Sequence, residues 1–489
     1  MRTDASFLIS ESKLKAWYQK GFIVPLAVSF KSPVDPWQIA KEILREHPHA
    51  FFLDSVRYQE KTARYSYLGW NPFRIFKTQK PGGIILRLRT LFGRYRGRKW
   101  NELPFFTGGA VGYFSYELAH AFEELPDLAR DDLHLDLVSL LFVRDVLVFD
   151  HKENTYYFIS NLIPSKDGSF ERAFERAVSV IKKNIVSLRG GRKVDEAIPS
   201  EIASLTTFAR NDVKIRNFRA DISKTYFKKM VTTAKKYIEA GDIYQANLSQ
   251  RFSFQIKGPA ESIYETLREI NPSPFSSFLK IGALTIASAS PERLIRLQGR
   301  ICETRPIAGT KPRGTTEIQE EQFKKELVMS PKERAEHIML VDLERNDLGR
   351  VSETNSVLVD ELMTIERYSH VVHIVSNISG RLKKGCDRFD LLAAVFPGGT
   401  ITGCPKIRSM EIIEEVEPFK RHLYTGSIGY LDFNGDLDLN IVIRSLVVNG
   451  TKGYLQVGAG IVHDSKPESE YWETLHKGKA LIDALSAHA

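Results

Sequence analysis

Cysteine is scarce in this chain. Its 489 residues include three, Cys302, Cys386 and Cys404. Three cannot build a disulfide framework, and their spacing matches no metal motif. None of them sits in a nucleophile elbow. Long apolar runs are also missing, so no segment is suited to cross a bilayer. Met1 to Lys15 lacks the apolar core of a secretory signal. The sequons Asn247-Leu-Ser and Asn377-Ile-Ser are therefore read as idle, and the chain as cytoplasmic. No coiled coil, internal repeat or low-complexity tract is present. Acidic residues are absent from one stretch. Between Arg74 and Trp100 stand nine basic residues and no acidic one, a large part of a net charge of +9. A nucleic acid or a membrane surface would exploit such a patch. Aromatics are not regularly interleaved with it, and no nucleic-acid-binding motif accompanies it. It reads as a solvated basic face able to attract an acidic partner, with neither nucleic acid nor membrane expected.

What is present is an ordinary globular composition. Hydrophobic residues make up 43% and charged residues 26%, which excludes a disordered chain and leaves material for a large core. Asp35 caps a helix over 36–46 that has Pro36 at its first position. Strands are read at 51–56, 63–68 and 108–116, with a hairpin of 138–150 and 155–163. An amphipathic helix follows over 170–188. Residues 189–215, with Arg189-Gly-Gly-Arg-Lys, form a linker between a region 1–188 and a domain 216–489. The second part holds helices at 223–239, 260–270 and 317–347. Its strands are read at 246–256, 275–281, 284–289, 292–298, 370–381, 423–433, 437–448 and 452–460. A helix at 468–487 ends the chain. Strands in meanders rather than βα alternation favour an α+β class.

The chain is organised around Phe396-Pro-Gly-Gly-Thr-Ile-Thr-Gly-Cys-Pro-Lys406. Glycines at 398, 399 and 403 permit sharp bends and close approach. Pro405 suits the first turn of the helix that follows, with Ile407, Met410, Ile413 and Val416 at helical spacing. A helix N-terminus behind such a turn is a natural anion site. It is not a P-loop, because Cys404-Pro405 stands where Lys-Ser/Thr is required.

This stretch resembles the signature of the chorismate-utilising enzymes. These include the large subunits of anthranilate synthase and aminodeoxychorismate synthase, and the isochorismate and salicylate synthases. Further matches are Asp242-Ile-Tyr-Gln-Ala-Asn-Leu-Ser-Gln-Arg-Phe252, Arg305-Pro-Ile-Ala-Gly-Thr310, Glu336-His-Ile-Met-Leu-Val-Asp-Leu-Glu-Arg-Asn-Asp347 and Tyr424-Thr-Gly-Ser-Ile-Gly-Tyr430. Gly458-Ala-Gly460 and Glu470-Tyr-Trp-Glu473 complete the set, in family order from about Phe227 onward. The resemblance implies two packed antiparallel sheets with outer helices. It makes 216–489 the chorismate-binding catalytic domain.

Ser330-Pro-Lys-Glu333 reads as a capping box. Glu333 and Glu336 are three apart, on one helix face, and Glu470 and Glu473 repeat the spacing on another helix. Carboxylates are the hard ligands Mg²⁺ takes. The resemblance pairs the two helices, with Glu336 and Glu473 on Mg²⁺ and Glu333 and Glu470 on its waters. Chorismate carries two carboxylates. Arg444, a cation read within an apolar strand, calls for an anion. The resemblance sets Arg444, Tyr424, Gly458 and Gly460 on the carboxylate away from the metal, and Gly309 and Thr310 on the substrate. It places His373 near the departing hydroxyl as acid or donor, Thr400 as its neighbour, and Lys477 as added positive charge.

Two positions bear on the reaction. Gln245 stands where water-using relatives carry a lysine base, and a neutral amide favours ammonia as nucleophile. With no amidotransferase nucleophile of its own, the chain calls for a separate glutaminase subunit. Ala308 occupies a site that is lysine in many aminodeoxychorismate synthases and alanine in anthranilate synthases. Gly398-Gly399, Tyr424-Thr-Gly-Ser-Ile-Gly and Asp436-Leu-Asp-Leu-Asn-Ile441 look closer to the aminodeoxychorismate branch. Leu53-Asp54-Ser55 partly matches the Leu-Leu-Glu-Ser motif that helps bind tryptophan in the anthranilate branch. On balance the motifs favour 4-amino-4-deoxychorismate, for para-aminobenzoate and folate. Anthranilate plus pyruvate is the alternative. A catalytically silent chorismate-binding or nucleic-acid-binding protein is the alternative of another class. The intact carboxylates at 333, 336, 470 and 473 argue against silence.

Overall fold

A computed structural model describes residues 7–56, 63–188, 213–312, 316–367 and 371–488. Its frame is two antiparallel sheets, one of twelve strands and one of ten. The larger runs in the order Val24–Phe30, Thr155–Leu162, Asp145–Asp150, Tyr65–Trp70, His49–Asp54, Phe275–Ile281, Leu284–Ser290, Ser445–Asn449, Lys452–Ile461, Gln245–Lys257 and Gly403–Cys404. Lys214–Ala220 pairs with Gln245–Lys257 off this path. The smaller sheet includes Ile307–Pro312, Val371–Arg381, Ile301–Arg305 and Arg293–Gln298 in that order, and Gly109–Phe114 beside Ser427–Asp432. The α+β class with two packed sheets and outer helices is what the sequence implied.

Both halves of the chain enter both sheets. His49–Asp54 pairs with Phe275–Ile281, and Gly109–Phe114 with Ser427–Asp432. The division into 1–188 and 216–489 therefore does not separate two cores. Most of the expected linker, 189–212, lies outside the described residues. Its end already belongs to the strand Lys214–Ala220.

Two expected strands break in the middle. Within 138–150, Val138–Val143 joins the smaller sheet while Asp145–Asp150 joins the larger. Within 437–448, Leu437–Asn440 pairs in the smaller sheet and Ser445–Asn449 in the larger. Each half is largely buried, and the polar residues at the breaks, Arg144-Asp145 and Arg444-Ser445, read equally well as outward-facing strand positions, so the change of sheet was not legible. The helical region 317–347 is two helices, Glu317–Met329 and Pro331–Gly349, meeting at Ser330.

The inner faces of the sheets meet in one core. Phe51, Tyr67, Phe158 and Phe278 come from the larger sheet, and Val111, Tyr113, Leu141 and Ile428 from the smaller. Each such side chain contributes about 1.5–3 kcal/mol by leaving water. The helices Ile84–Gly93, Pro331–Gly349 and Arg388–Val395 share a second cluster with the smaller sheet. The helices Lys224–Glu239 and Lys406–Val416 pack on Ala246, Leu248, Ala459 and Ile461. In the latter helix Met410 and Ile413 are buried as the spacing implied, but Ile407 is 44% exposed.

Candidate active site

Strand alternation builds the first wall. Ala246, Leu248, Ala459 and Ile461 face the helices, so Gln245, Asn247, Gly458 and Gly460 face the other way. The register sets Asn247 opposite Gly460 and Ser249 opposite Gly458. A Cβ on either glycine would force a neighbour to move. At Gly458 it would stand 2.6 Å from the Tyr424 hydroxyl and 2.7 Å from Asn247 Oδ1; at Gly460 it would strike the Gln245 amide. Tyr424 lies in the turn before Ser427–Asp432, not in a strand as expected.

The glycine turn closes this wall. Gly399–Ile401 makes a 3-10 turn, and Gly403–Cys404 forms a short strand against Gln245 and Ala246 before the helix Lys406–Val416 begins. That strand separates turn from helix, and Pro405 is the N-cap rather than the first helical residue. The glycines serve close packing. Side chains at 399 and 403 would strike Leu343 and the Gln245 carbonyl respectively.

The second wall comes from the smaller sheet. Ile307–Pro312 pairs with Val371–Arg381, setting Thr310 opposite His373, with a bulge between Ala308 and Thr310. Gly309 sits there at φ +64°, a left-handed conformation that favours glycine. A Cβ on it would lie 2.8 Å from Glu333 Oε2. Ser330 caps its helix by accepting from the Glu333 amide at 3.3 Å. The reciprocal half of the capping box is not formed, because the Ser330 amide already donates to the Glu326 carbonyl. The Glu333 carboxylate is turned toward Gly309 instead. One turn on, Glu336 Oε1 accepts from Gln245 Nε2 at 3.4 Å, which ties the two walls together.

His373 stands on the strand Val371–Arg381 opposite Thr310. Its Nδ1 lies 3.2 Å from the Gly309 carbonyl oxygen. A carbonyl only accepts, so Nδ1 carries the hydrogen and Nε2 is left as an acceptor. Burial, and then the Arg444 charge, pushes the imidazole down to about 4. The ring is therefore neutral at physiological pH.

Arg444 is not within a strand. It lies between Leu437–Asn440 and Ser445–Asn449, at φ +52°, where the chain passes from one sheet to the other. Its charge reaches both His373 and Glu292. Glu292 is a member of the site that the sequence reading missed. It follows the strand Leu284–Ser290, is 5% exposed, and accepts from the Thr400 hydroxyl at 2.8 Å. Burial pushes its carboxyl up to about 7, against the Thr400 bond, the Ile307 amide and the charges of Arg444 and Lys477. The signal for it was an acid in the short gap between the strands Leu284–Ser290 and Arg293–Gln298.

The helix Pro467–Ser486 supplies the last group. Lys477 pairs with Glu473 at 2.8 Å, both half exposed, and Glu470 is buried one turn earlier. Four carboxylates on two helices are the donors Mg²⁺ prefers, and in kind they fit that ion. No three of them are drawn within 4.8 Å of one another. Among the described residues the only group of three possible ligands that close is His120, Asp127 and Glu414, and there Asp127 pairs with Lys420 at 2.8 Å.

Gln245, Glu333, Glu336, Gly309, His373, Thr400, Tyr424, Arg444, Gly458, Gly460 and Lys477 are thus linked into one region by contact or charge. Comparison with known proteins shows the family of the chain. A family model described as chorismate binding enzyme matches residues 49–483. The chain is similar to anthranilate synthase component 1 of Acetivibrio thermocellus, 41% identical over 482 residues and 95% of each chain. It is also similar to aminodeoxychorismate synthase component 1 of Bacillus subtilis, 39% identical over 91% of this chain and 93% of that one. The crystal structure of anthranilate synthase component I from Streptococcus pneumoniae superposes with a TM-score of 0.74 at 33% identity, covering 87% of this chain and 93% of that one. The isochorismate synthase MenF of Escherichia coli shares the fold at a TM-score of 0.70 and 17% identity, over 97% and 99% of the two chains. The chain belongs to the chorismate-binding enzyme family.

Proposed function

We propose that this chain aminates chorismate with ammonia to give 4-amino-4-deoxychorismate. The observation that carries the chemistry is Glu292. A buried carboxyl near 7, held by Thr400, is suited to protonate a departing hydroxyl at physiological pH. Nitrogen enters the ring at C2 as the C4–O bond breaks, and the C4 oxygen leaves as water with the Glu292 proton. For this product a second ammonia then adds at C4 as the C2–N bond breaks, and the nitrogen at C2 leaves as ammonia. His373, neutral, offers Nε2 as an acceptor beside that hydroxyl. Arg444 and the Tyr424 hydroxyl hold a carboxylate. Gln245 is a neutral amide and cannot deprotonate water, which leaves ammonia as the nucleophile. Mg²⁺ would be held by Glu336 and Glu473, with Glu333 and Glu470 on its waters, and would supply positive charge for the ring carboxylate.

Ammonia comes from a separate glutaminase subunit on this reading. The relatives are named as component 1, which implies a second component. The thiols at hand suit no amidotransferase nucleophile. Burial raises Cys302 and Cys404 above the usual thiol range, and thiolates are the reactive form.

The branch rests on Gly398-Gly399, the Tyr424–Tyr430 segment and Asp436–Ile441. Ala308 and the partial match at Leu53-Asp54-Ser55 favour the second reading, anthranilate plus pyruvate. Asp54 itself is 2% exposed and bound by Arg268 Nε at 2.5 Å and the Tyr264 hydroxyl at 3.2 Å. Chorismate, ammonium and Mg²⁺, followed by anthranilate fluorescence with and without an added aminodeoxychorismate lyase, test the choice. No fluorescence and no pyruvate without the lyase is the expected result. Prompt fluorescence from the chain alone would overturn the branch.

A further inference from the structure

We propose that Arg421 is a positioning residue for Tyr424, and that its guanidinium sets where the Tyr424 hydroxyl meets the substrate carboxylate. The inference rests on the reading above, in which that hydroxyl holds a carboxylate of chorismate. Arg421 lies in the turn between the helix Lys406–Val416 and the strand Ser427–Asp432. Its side chain is 1% exposed, and a guanidinium so buried needs an acceptor for each of its five N–H groups.

It has all five. Nε donates to Glu417 Oε2 at 3.0 Å, and Nη2 to Glu417 Oε1 at 2.6 Å. Nη2 also donates to the Asn247 carbonyl at 2.5 Å. Nη1 donates to the Ile401 carbonyl at 3.0 Å and to Thr425 Oγ1 at 3.4 Å. The acceptors come from the helix end, the strand Gln245–Lys257, the glycine turn and the residue after Tyr424. Glu417 Oε1 is itself fixed by the amide and hydroxyl of Ser249, at 2.7 and 2.9 Å. Ser249 stands opposite Gly458. The ion pair is thus anchored in the same wall that the Tyr424 hydroxyl approaches.

The backbone around Tyr424 needs such a hold. His422 and Thr425 take left-handed conformations, at φ +52° and +61°, which residues other than glycine seldom adopt. The Tyr424 amide donates to the Arg421 carbonyl at 3.0 Å. Thr425 Oγ1 accepts from the guanidinium and donates to the Tyr424 carbonyl at 2.6 Å. The guanidinium carbon lies 5.7 Å from the centre of the Tyr424 ring. Arg421 therefore fastens Tyr424 at its amide, at its carbonyl and against its ring. Lysine cannot replace it, because three donors on one nitrogen do not reach acceptors spread around a plane.

The test uses the full-length chain, with chorismate consumption measured in ammonium and Mg²⁺. T425V removes one acceptor at the Tyr424 end. It should raise KM for chorismate about threefold and leave kcat within about twofold, the pattern of a lost binding contact. R421K should raise KM by about tenfold. In a Y424F background neither change should move KM by more than about twofold, because the hydroxyl they position is gone. A merely structural role would give another pattern: loss of folded protein lowers apparent kcat and leaves KM unchanged. Wild-type KM in T425V, or an equal rise with and without Y424F, would overturn the proposal, and T425V decides the matter should R421K fail to fold. Wild-type KM in Y424F alone would instead overturn the carboxylate reading beneath it, and chorismate untouched by the wild-type chain would overturn the functional reading itself.

Discussion

Glu292→Gln should trade catalysis for stability, and both changes can be worked out from the structure. The glutamate is buried, with its carboxyl near 7, whereas in the unfolded chain it titrates in the ordinary range, about 4.3. The folded value is raised, so the unfolded state releases its proton first as pH rises. Stability from this group is therefore greatest at low pH and declines between about 4.5 and about 7. Above both values the cost is about 4 kcal/mol, at roughly 1.4 kcal/mol for each tenfold difference in proton affinity. Glutamine carries no charge, and its carbonyl still accepts from Thr400. E292Q should then unfold at higher urea than wild type at about pH 9, by up to about 4 kcal/mol, and show little gain at about pH 4.5. In the same protein kcat should fall by about 10² to 10⁴ when the acid is removed. Wild-type kcat itself should decline as pH rises through about 7, because the protonated form is the active one. The assay is urea unfolding at the two pH values beside ammonia-dependent turnover. Equal stability gains at both pH values would show that Glu292 is not a raised, buried carboxyl. Undiminished turnover in E292Q would show that it is not the acid.

Three further outcomes follow from the same geometry. Glu336→Gln and Glu473→Gln should each abolish turnover at limiting Mg²⁺ while circular dichroism stays native, since each removes one charged ligand; near-native rates at low Mg²⁺ would remove both from the metal site. Glutamine should not replace ammonium for the isolated chain, and glutamine-driven turnover by the pure chain would refute the call for a second subunit. Gly403→Ala should destabilise the protein by about 1–3 kcal/mol, because Gly403 has φ +145° and an added Cβ would strike the Gln245 carbonyl; an unchanged urea midpoint would show that this corner is not packed as described.

The sequence by itself determined the family and the α+β class. Those signals are local. The Asp35 cap, the glycine turn and paired glutamates three apart each act within a few residues, and the helices that carry them form over the expected segments. The tertiary structure decided what depends on distant neighbours. Residues 138–150 and 437–448 read as single strands because either sheet would bury them; only the packed sheets decide where each breaks. Arg444 looked like a strand residue because its left-handed crossing leaves no mark in composition. His373 could be named but not given a tautomer until Gly309 lay opposite it. Glu292 was legible only as an acid between Pro291 and Arg293. Its protonation is set by burial, and no short pattern records a desolvation cost that arises only when the chain closes around it.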